Sequence, residues 1–164
     1  MVPQRICPGD GQESVWDYPR PPRREDFDGR IRVVFGGTVI ADTHRAICVL
    51  ETSHPPVFYI PMQDIRMETL TSCGGDSVCE WKGTAVYYTV AVGSKTADRS
   101  AWRYPNPEKG FLPIKDSIAF YPSLMEACYV DDEKATPQPG DFYGGWVTSR
   151  VVGPFKGEPG TTHW

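Results

Sequence analysis

The stretch Thr84-Ala85-Val86-Tyr87-Tyr88-Thr89-Val90-Ala91-Val92 carries the clearest structural signal in the chain. Its β-branched and aromatic residues favour a strand, and the turn-forming Gly93-Ser94-Lys95 ends it. Successive side chains of a strand point to opposite faces of its sheet. One face is predicted to present Val86, Tyr88, Val90 and Val92, and the other Ala85, Tyr87, Thr89 and Ala91.

Shorter strands are predicted on either side of this one. Gly36-Gly37 is a hairpin signal between two apolar runs, and Pro61 indicates one helical turn. Residues 114–120 fit either a strand or a helical turn. The fold class is therefore mainly β with one or two short helical turns. The other predicted strands are residues 31–35, 38–41, 46–51, 57–60, 117–121 and 126–130.

The chain divides into a body and two flanking segments. Residues 1–30 are predicted to be an extended, Pro-rich arm, either draped over the domain or serving as a docking segment for a partner. Residues 31–132 form the β-rich core domain. Residues 133–164 are a C-terminal tail, and the aromatic run at 140–146 is too apolar to stay free, so the tail is expected to pack on the core.

The composition is that of an ordinary globular domain, with 40% hydrophobic and 23% charged residues. A net charge of −4 without a basic stripe argues against nucleic acid as a partner. No apolar run approaches the roughly 18 residues that span a bilayer, and residues 1–8 lack the apolar segment of a secretory signal. Five irregularly spaced cysteines favour a reducing compartment. We expect a soluble cytoplasmic protein, with organelle import as the open alternative.

Several chemistries lack their sequence signature. Paired zinc ligands, a Gly-x-Ser-x-Gly elbow and Gly-rich phosphate loops do not occur in the sequence, so no metal and no cofactor is predicted. Cys73 and Cys79 are either a reversible thiol pair across Gly74-Gly75 or unreactive thiols.

Polar residues beside aromatic ones indicate a site. Glu51 and His54 lie three positions apart at a strand end, an arrangement suited to acid–base chemistry, although His54 could instead cap a Pro-rich turn. Lys82 follows Trp81 and could hold an anionic or enolate-like substrate, or activate the Cys79 thiol. The alternative is that Trp81 is core and Lys82 reaches to water.

Trp and Tyr residues in loops are usually either buried or placed against a planar ligand. We predict a pocket with catalytic Glu51, His54 and Lys82. The predicted ligand-binding residues are Tyr59, Trp81, Tyr88, Trp102, Tyr104, Tyr143 and Trp146.

Taken in order, these motifs resemble the family known as domain of unknown function 427, over roughly residues 31–132. The arm and the Gly/Trp-rich tail resemble its longer members, and Glu80 stands where many relatives have Pro. The motifs are Gly36 to Ala41, Glu51-x-x-His54, Tyr59-x-Pro61, Cys79-x-Trp81-Lys82-Gly83-x-Ala85-x-x-Tyr88, Ala101-Trp102-x-Tyr104-Pro105-x-Pro107 and Ile118 to Tyr121.

The resemblance implies a curled, mostly antiparallel sheet similar to β-tent folds. It does not carry over the zinc of those folds, because paired cysteines are missing from this sequence. The nucleotidyltransferase-like label sometimes given to the family does not suit this chain either. Such enzymes need closely placed carboxylates after a Gly-Ser turn, whereas Gly93-Ser94 precedes Lys95-Thr96-Ala97-Asp98.

Two functions follow as expectations. In the first, the pocket belongs to a cofactor-free acid–base enzyme of the isomerase, dehydratase or cyclase type. In the second, it is a non-catalytic module that binds a planar heterocyclic or nucleobase-like ligand. A protein-interaction role for the arm ranks below both, and the oligomeric state is left open, with a homodimer among the alternatives.

Overall fold

The computed structural model describes residues 4–79, 82–140 and 142–164, without the side chains of residues 74–78. In it, the strand at Thr84 to Val92 is the second from one edge of a seven-stranded antiparallel sheet. In chain order the strands are β1 (Glu13–Ser14), β2 (Arg23–Phe27), β3 (Ile31–Phe35), β4 (Thr38–Thr43), β5 (Ala46–Leu50), β6 (Val57–Pro61), β7 (Leu70–Cys79), β8 (Gly83–Val92), β9 (Lys95–Arg103), β10 (Ser117–Phe120), β11 (Ala127–Val130), β12 (Glu133–Lys134), β13 (Thr136–Pro137), β14 (Trp146–Val147) and β15 (Val151–Val152). Short 3₁₀ segments are Val15–Asp17, Met62–Asp64, Met67–Thr69, Lys109–Ile114 and Pro122–Leu124.

Two larger sheets make up the body. The seven-stranded sheet has the order β2-β5-β6-β10-β9-β8-β7, and a four-stranded sheet has the order β12-β11-β3-β4. Two small sheets, β1 with β15 and β13 with β14, attach the ends of the chain. The mainly β, antiparallel class predicted from the sequence is confirmed, and the described residues contain no helix long and apolar enough to cross a membrane.

The large sheet buries both of its faces, as the alternation in β8 predicts. Tyr88 and Val90 join the main core, which also contains residues of the four-stranded sheet such as Ile31 and Val33. The neighbouring Tyr87 joins a second apolar cluster on the opposite face. The other strands divide in the same way, with Phe58, Ile60, Ile118 and Phe120 in the main core and Val57, Tyr59, Ala119 and Trp102 in the second cluster.

The ends of the chain are built into this body. The arm predicted for residues 1–30 ends in β2, which pairs with β5 along one edge of the large sheet from Arg23 opposite Leu50 to Phe27 opposite Ala46. The arm is therefore part of the sheet over residues 23–27. The open choice at residues 114–120 is resolved as a 3₁₀ segment up to Ile114 followed by strand β10.

Candidate functional site

A cavity of about 290 Å³ lies on the face of the large sheet that carries the second apolar cluster. Strands β5, β6, β8 and β9 supply its apolar floor, and the tail supplies further lining residues. The opposite face of these strands packs in the main core. The floor residues are Val49, Val57, Tyr59, Tyr87, Trp102, Tyr104 and Tyr121.

Seven of the ten residues predicted for the site line this cavity. Three are the predicted catalytic residues, and four are predicted ligand-binding residues. Trp81 lies outside the described residues. The seven are Glu51, His54, Lys82, Tyr59, Trp102, Tyr104 and Tyr143.

Tyr88 and Trp146 do not line the cavity, so their assignment to this pocket is corrected. Tyr88 points from β8 into the main core, and its hydroxyl accepts a hydrogen bond from Arg103 Nε at 3.1 Å. Trp146 is 0% exposed in the same core, and its Nε1 donates to the backbone oxygen of Phe120 at 3.3 Å. Strand alternation places Tyr88 on the face opposite the pocket, and the tail inserts Trp146 into that face.

Glu51 and His54 are brought together by a tight turn after β5. The backbone N–H of His54 donates to the carbonyl of Glu51 at 3.0 Å, and Ser53 between them has a φ of 70°. A left-handed backbone at a non-glycine residue costs on the order of 1–3 kcal/mol, and such strain is often found at functional sites. The turn places His54 Nε2 3.7 Å from Glu51 Oε2.

The arm and the tail hold this turn in place. Thr52 donates its backbone N–H to Pro19 and its hydroxyl to the Tyr18 carbonyl. The Ser53 carbonyl accepts from the backbone N–H of Lys156 at 2.9 Å. Segments far apart in sequence therefore stabilise the strained conformation that positions the two polar residues.

Gln138 fixes the imidazole of His54. Its Oε1 accepts from the backbone N–H of Gly145 at 3.1 Å, so the amide nitrogen must be the group that faces His54. That Nε2 lies 3.0 Å from His54 Nδ1 and also donates to the Lys156 carbonyl at 2.8 Å. His54 Nδ1 is thus an acceptor, and the ring proton of the neutral imidazole is on Nε2, the nitrogen nearer Glu51.

The environment of His54 opposes its protonation. Burial, together with the positive charges of Lys156, Arg20 and Lys82, lowers the pKa of His54 to about 4. The imidazole is therefore neutral at physiological pH, where it offers an N–H donor and has its lone pair occupied by Gln138.

Acidification is expected to destabilise the protein through His54. Between pH 7 and pH 4 the unfolded imidazole, with a pKa near 6.5, binds a proton that the folded one does not, so the free energy of unfolding falls by about 3 kcal/mol. Urea unfolding across this range, with an NMR titration of the ring, measures both quantities. His54→Asn keeps an acceptor for Gln138 and should flatten the pH dependence, whereas the same change at exposed His44 should not. An NMR midpoint near 6.5 would contradict the expectation.

The aromatic floor residues Tyr59, Trp102, Tyr104 and Tyr121, called the aromatic wall below, have rings that lie close to one another. Trp102 Nε1 donates to the Tyr59 hydroxyl at 3.4 Å, and the Trp102 ring lies 4.5 Å from that of Tyr121. Burial raises the pKa of Tyr59 and Tyr104 above their ordinary value and that of Tyr121 to about 12. These phenols remain protonated at neutral pH and can act as hydrogen-bond donors.

The tail completes the wall at Gly144 and Tyr143. A Cβ on Gly144 would overlap the indole of Trp102, so only glycine allows the tail backbone to lie directly on that ring. Tyr143 then packs edge-on against His54, with ring centroids 4.8 Å apart.

The two cysteines discussed above do not form a pair. Cys79 lines the cavity, but Cys73 is exposed and lies six residues away along the same strand, β7. Six strand residues span about 20 Å, far beyond the roughly 7 Å that a disulfide permits between Cα atoms. The alternative of a reversible Cys73–Cys79 pair is therefore wrong for this fold.

Sequence reasoning did not place five aromatic, amide or charged lining residues in the site: Tyr87, Tyr121, Gln138, Phe142 and Lys156. Gln138 and Lys156 lie in the tail, where little periodicity predicts a position. The available signal was the density of glycines around them, because Gly140, Gly144, Gly145 and Gly157 indicate close backbone approaches. In the described part of the chain, no three His, Cys, Asp or Glu side chains are grouped to hold a metal ion.

Most strands of the large sheet fall within a region that matches a known protein family. A family model described as a domain of unknown function (DUF427) matches residues 23–131, which include Glu51, His54, Lys82 and Trp102. The match covers most of the chain and confirms the resemblance inferred from the motifs. A search of curated proteins found no match.

Proposed function

This chain belongs to the family described as a domain of unknown function (DUF427), and on that premise we propose that its pocket binds a small molecule on which Glu51 acts as a general base without a cofactor. One observation carries the proposal. A carboxylate and a neutral imidazole of fixed tautomer lie 3.7 Å apart at the rim of a cavity with a buried aromatic floor. Such a concave apolar wall with a few convergent polar groups is the usual form of a ligand site.

The roles of the polar residues follow from their contacts. Glu51 is the base because the His54 lone pair at Nδ1 already accepts from Gln138. The His54 N–H donates to a substrate oxygen or orients the carboxylate. Lys82 stabilises negative charge that develops as a proton leaves. Isomerisation, dehydration and cyclisation are reactions of this type.

A binding module without catalysis is the second candidate. Glu51 Oε2 also lies 3.7 Å from Arg20 Nε, an ion pair that could hold the carboxylate as a fixed hydrogen-bond acceptor. In this version the rings of Trp102, Tyr104 and Tyr143 stack on a planar heterocycle, and Glu51 only accepts a hydrogen bond from it.

Filling the cavity should abolish ligand binding under either version. Val57 is a half-buried floor residue, and Val57→Phe is expected to weaken binding by at least about tenfold through a direct clash. Native mass spectrometry of freshly purified protein, followed by denaturing analysis of released molecules, identifies a retained ligand. If the purified protein retains no ligand, metabolites are screened for binding by thermal shift.

The matched control is Val39→Phe, the same change at an exposed position of β4. It should behave like the wild-type protein in both measurements. Ligands that stabilise Val57→Phe as much as wild type would bind elsewhere, and a wild-type protein that binds nothing in the screen would contradict the proposed function.

A further inference from the structure

The lysines of this chain divide into two groups by burial. Lys95, Lys109, Lys115 and Lys134 are exposed, whereas Lys82 and Lys156 are half-buried. Both half-buried lysines line the cavity. An ammonium group loses hydration when it is withdrawn from water, so its placement there needs a compensating partner.

The protein itself supplies little of that compensation. Among the side chains that the structure describes, no carboxylate oxygen lies within 4.0 Å of Nζ of either lysine. Lys156 Nζ donates to the backbone oxygen of Trp164 at 3.2 Å and lies 5.5 Å from the Tyr143 ring, and Lys82 Nζ lies 5.8 Å from the Tyr104 ring. These contacts orient both ammonium groups, and those of Lys82 are with the uncharged rings of Tyr104 and Phe111.

Glu51 does not neutralise them either. It is the only acid among the described lining residues, and its carboxylate faces the guanidinium of Arg20 at 3.7 Å. Because Glu51 is paired with Arg20, Lys82 is left without a carboxylate partner among the described side chains. The depressed pKa of His54, to which Lys156, Arg20 and Lys82 all contribute, reports the same positive field.

The volume and the lining of the cavity limit the size and shape of a ligand that fits it. A volume of about 290 Å³ is at the small end for ligand sites, which suits a molecule of one or two rings. The wall beside the lysines consists of ring faces and edges, which bind flat, unsaturated groups best.

We propose that the pocket takes a small, planar, conjugated organic acid, whose anionic group is bound by Lys82 and Lys156 and whose ring system lies against Trp102 and Tyr104. This inference rests on the proposed function and names its substrate class. With such a ligand, the lysines hold the acid group while Glu51 faces the unsaturated body. Charge at the lysines also strengthens binding at low ionic strength.

Matched acid and amide probes test the charge separately from the shape. The pairs are benzoate with benzamide, 2-naphthoate with 2-naphthamide, and indole-3-carboxylate with its carboxamide, measured by ligand-observed NMR and calorimetry at low salt. We expect the acid of at least one pair to bind at least about tenfold tighter than its amide. The preference should disappear in the double variant Lys82→Met with Lys156→Met and persist in Lys95→Met with Lys134→Met, whose lysines are exposed.

The outcomes separate this inference from the proposed function. Acids and amides that bind equally well, or an acid preference that survives loss of both pocket lysines, would overturn the anionic class and leave a small-molecule pocket standing. Failure of every acid to bind the wild-type protein would also overturn it, and the Val57→Phe comparison then decides the proposed function independently. Circular dichroism of each variant verifies that it is folded.

Discussion

Glu51→Gln is expected to lower kcat by about 10²–10⁴-fold and to leave ligand affinity within about threefold of wild type, because under the proposed function it removes a general base from an otherwise intact site. Gln keeps the size and the acceptor oxygen of Glu but cannot take up a proton. The aromatic wall and Lys82 do not depend on Glu51 in the structure, so most of the binding surface is unchanged. Steady-state kinetics and calorimetry with the ligand found by mass spectrometry or the screen measure the two quantities.

Glu68→Gln is the control, because Glu68 is an exposed residue of the 3₁₀ segment Met67–Thr69, outside the cavity. Its kcat should equal that of the wild-type protein. If Glu51→Gln turns over normally, Glu51 is not the base. If Glu51→Gln binds the ligand more weakly, and the wild-type protein turns over none of the ligands that it binds, the non-catalytic module is the better function.

The body of the fold could be predicted because its alternation is local. Thr84 to Val92 is apolar at nearly every position, and its two faces meet two different cores, as the period of a strand requires. Val57 to Ile60 and the strand at Ser117–Phe120 behave in the same way. In each of them the residue type and the burial in the structure agree.

Three strands of the seven-stranded sheet were missed because their residues do not resemble strand residues. β7 contains Cys73-Gly74-Gly75, β9 begins Lys95-Thr96-Ala97-Asp98, and β2 is the charged Arg23–Phe27. Pairing with β8 or β5 makes them strands, and such tertiary pairing overrides weak local preference. The edge positions of β2 and β7 explain why polar residues are tolerated there.

The site could be predicted only where its residues lie on the sheet or beside it. Glu51, His54 and Lys82 line the same cavity, as predicted. Alternation alone could not show which face of β8 the pocket occupies. Tyr88 was therefore predicted to line the pocket, whereas Tyr87 does so in the structure. Gln138 reaches the pocket through hydrogen bonds to Gly145 and Lys156, residues distant from the strands in sequence. No periodic pattern encodes such a fold-back.

Trp146→Ala is expected to lower the free energy of unfolding by about 3–5 kcal/mol, a large part of the roughly 5–15 kcal/mol of a typical domain. Trp146 is fully buried in the main core, 5.1 Å from the Phe58 ring, and Ala would leave a large cavity between the sheets. The backbone oxygen of Phe120 would also lose its indole donor. Urea unfolding followed by circular dichroism measures the loss.

Ligand affinity per folded molecule separates this core role from the binding role that sequence reasoning assigned to Trp146. It should stay within about threefold of wild type, because Trp146 lies in the core behind the sheet and does not line the pocket. Trp164→Ala, at a half-buried indole, should cost less stability, and Trp146→Phe provides a milder variant if the Ala protein does not fold. A variant of normal stability that has lost affinity more than tenfold would return Trp146 to the binding site.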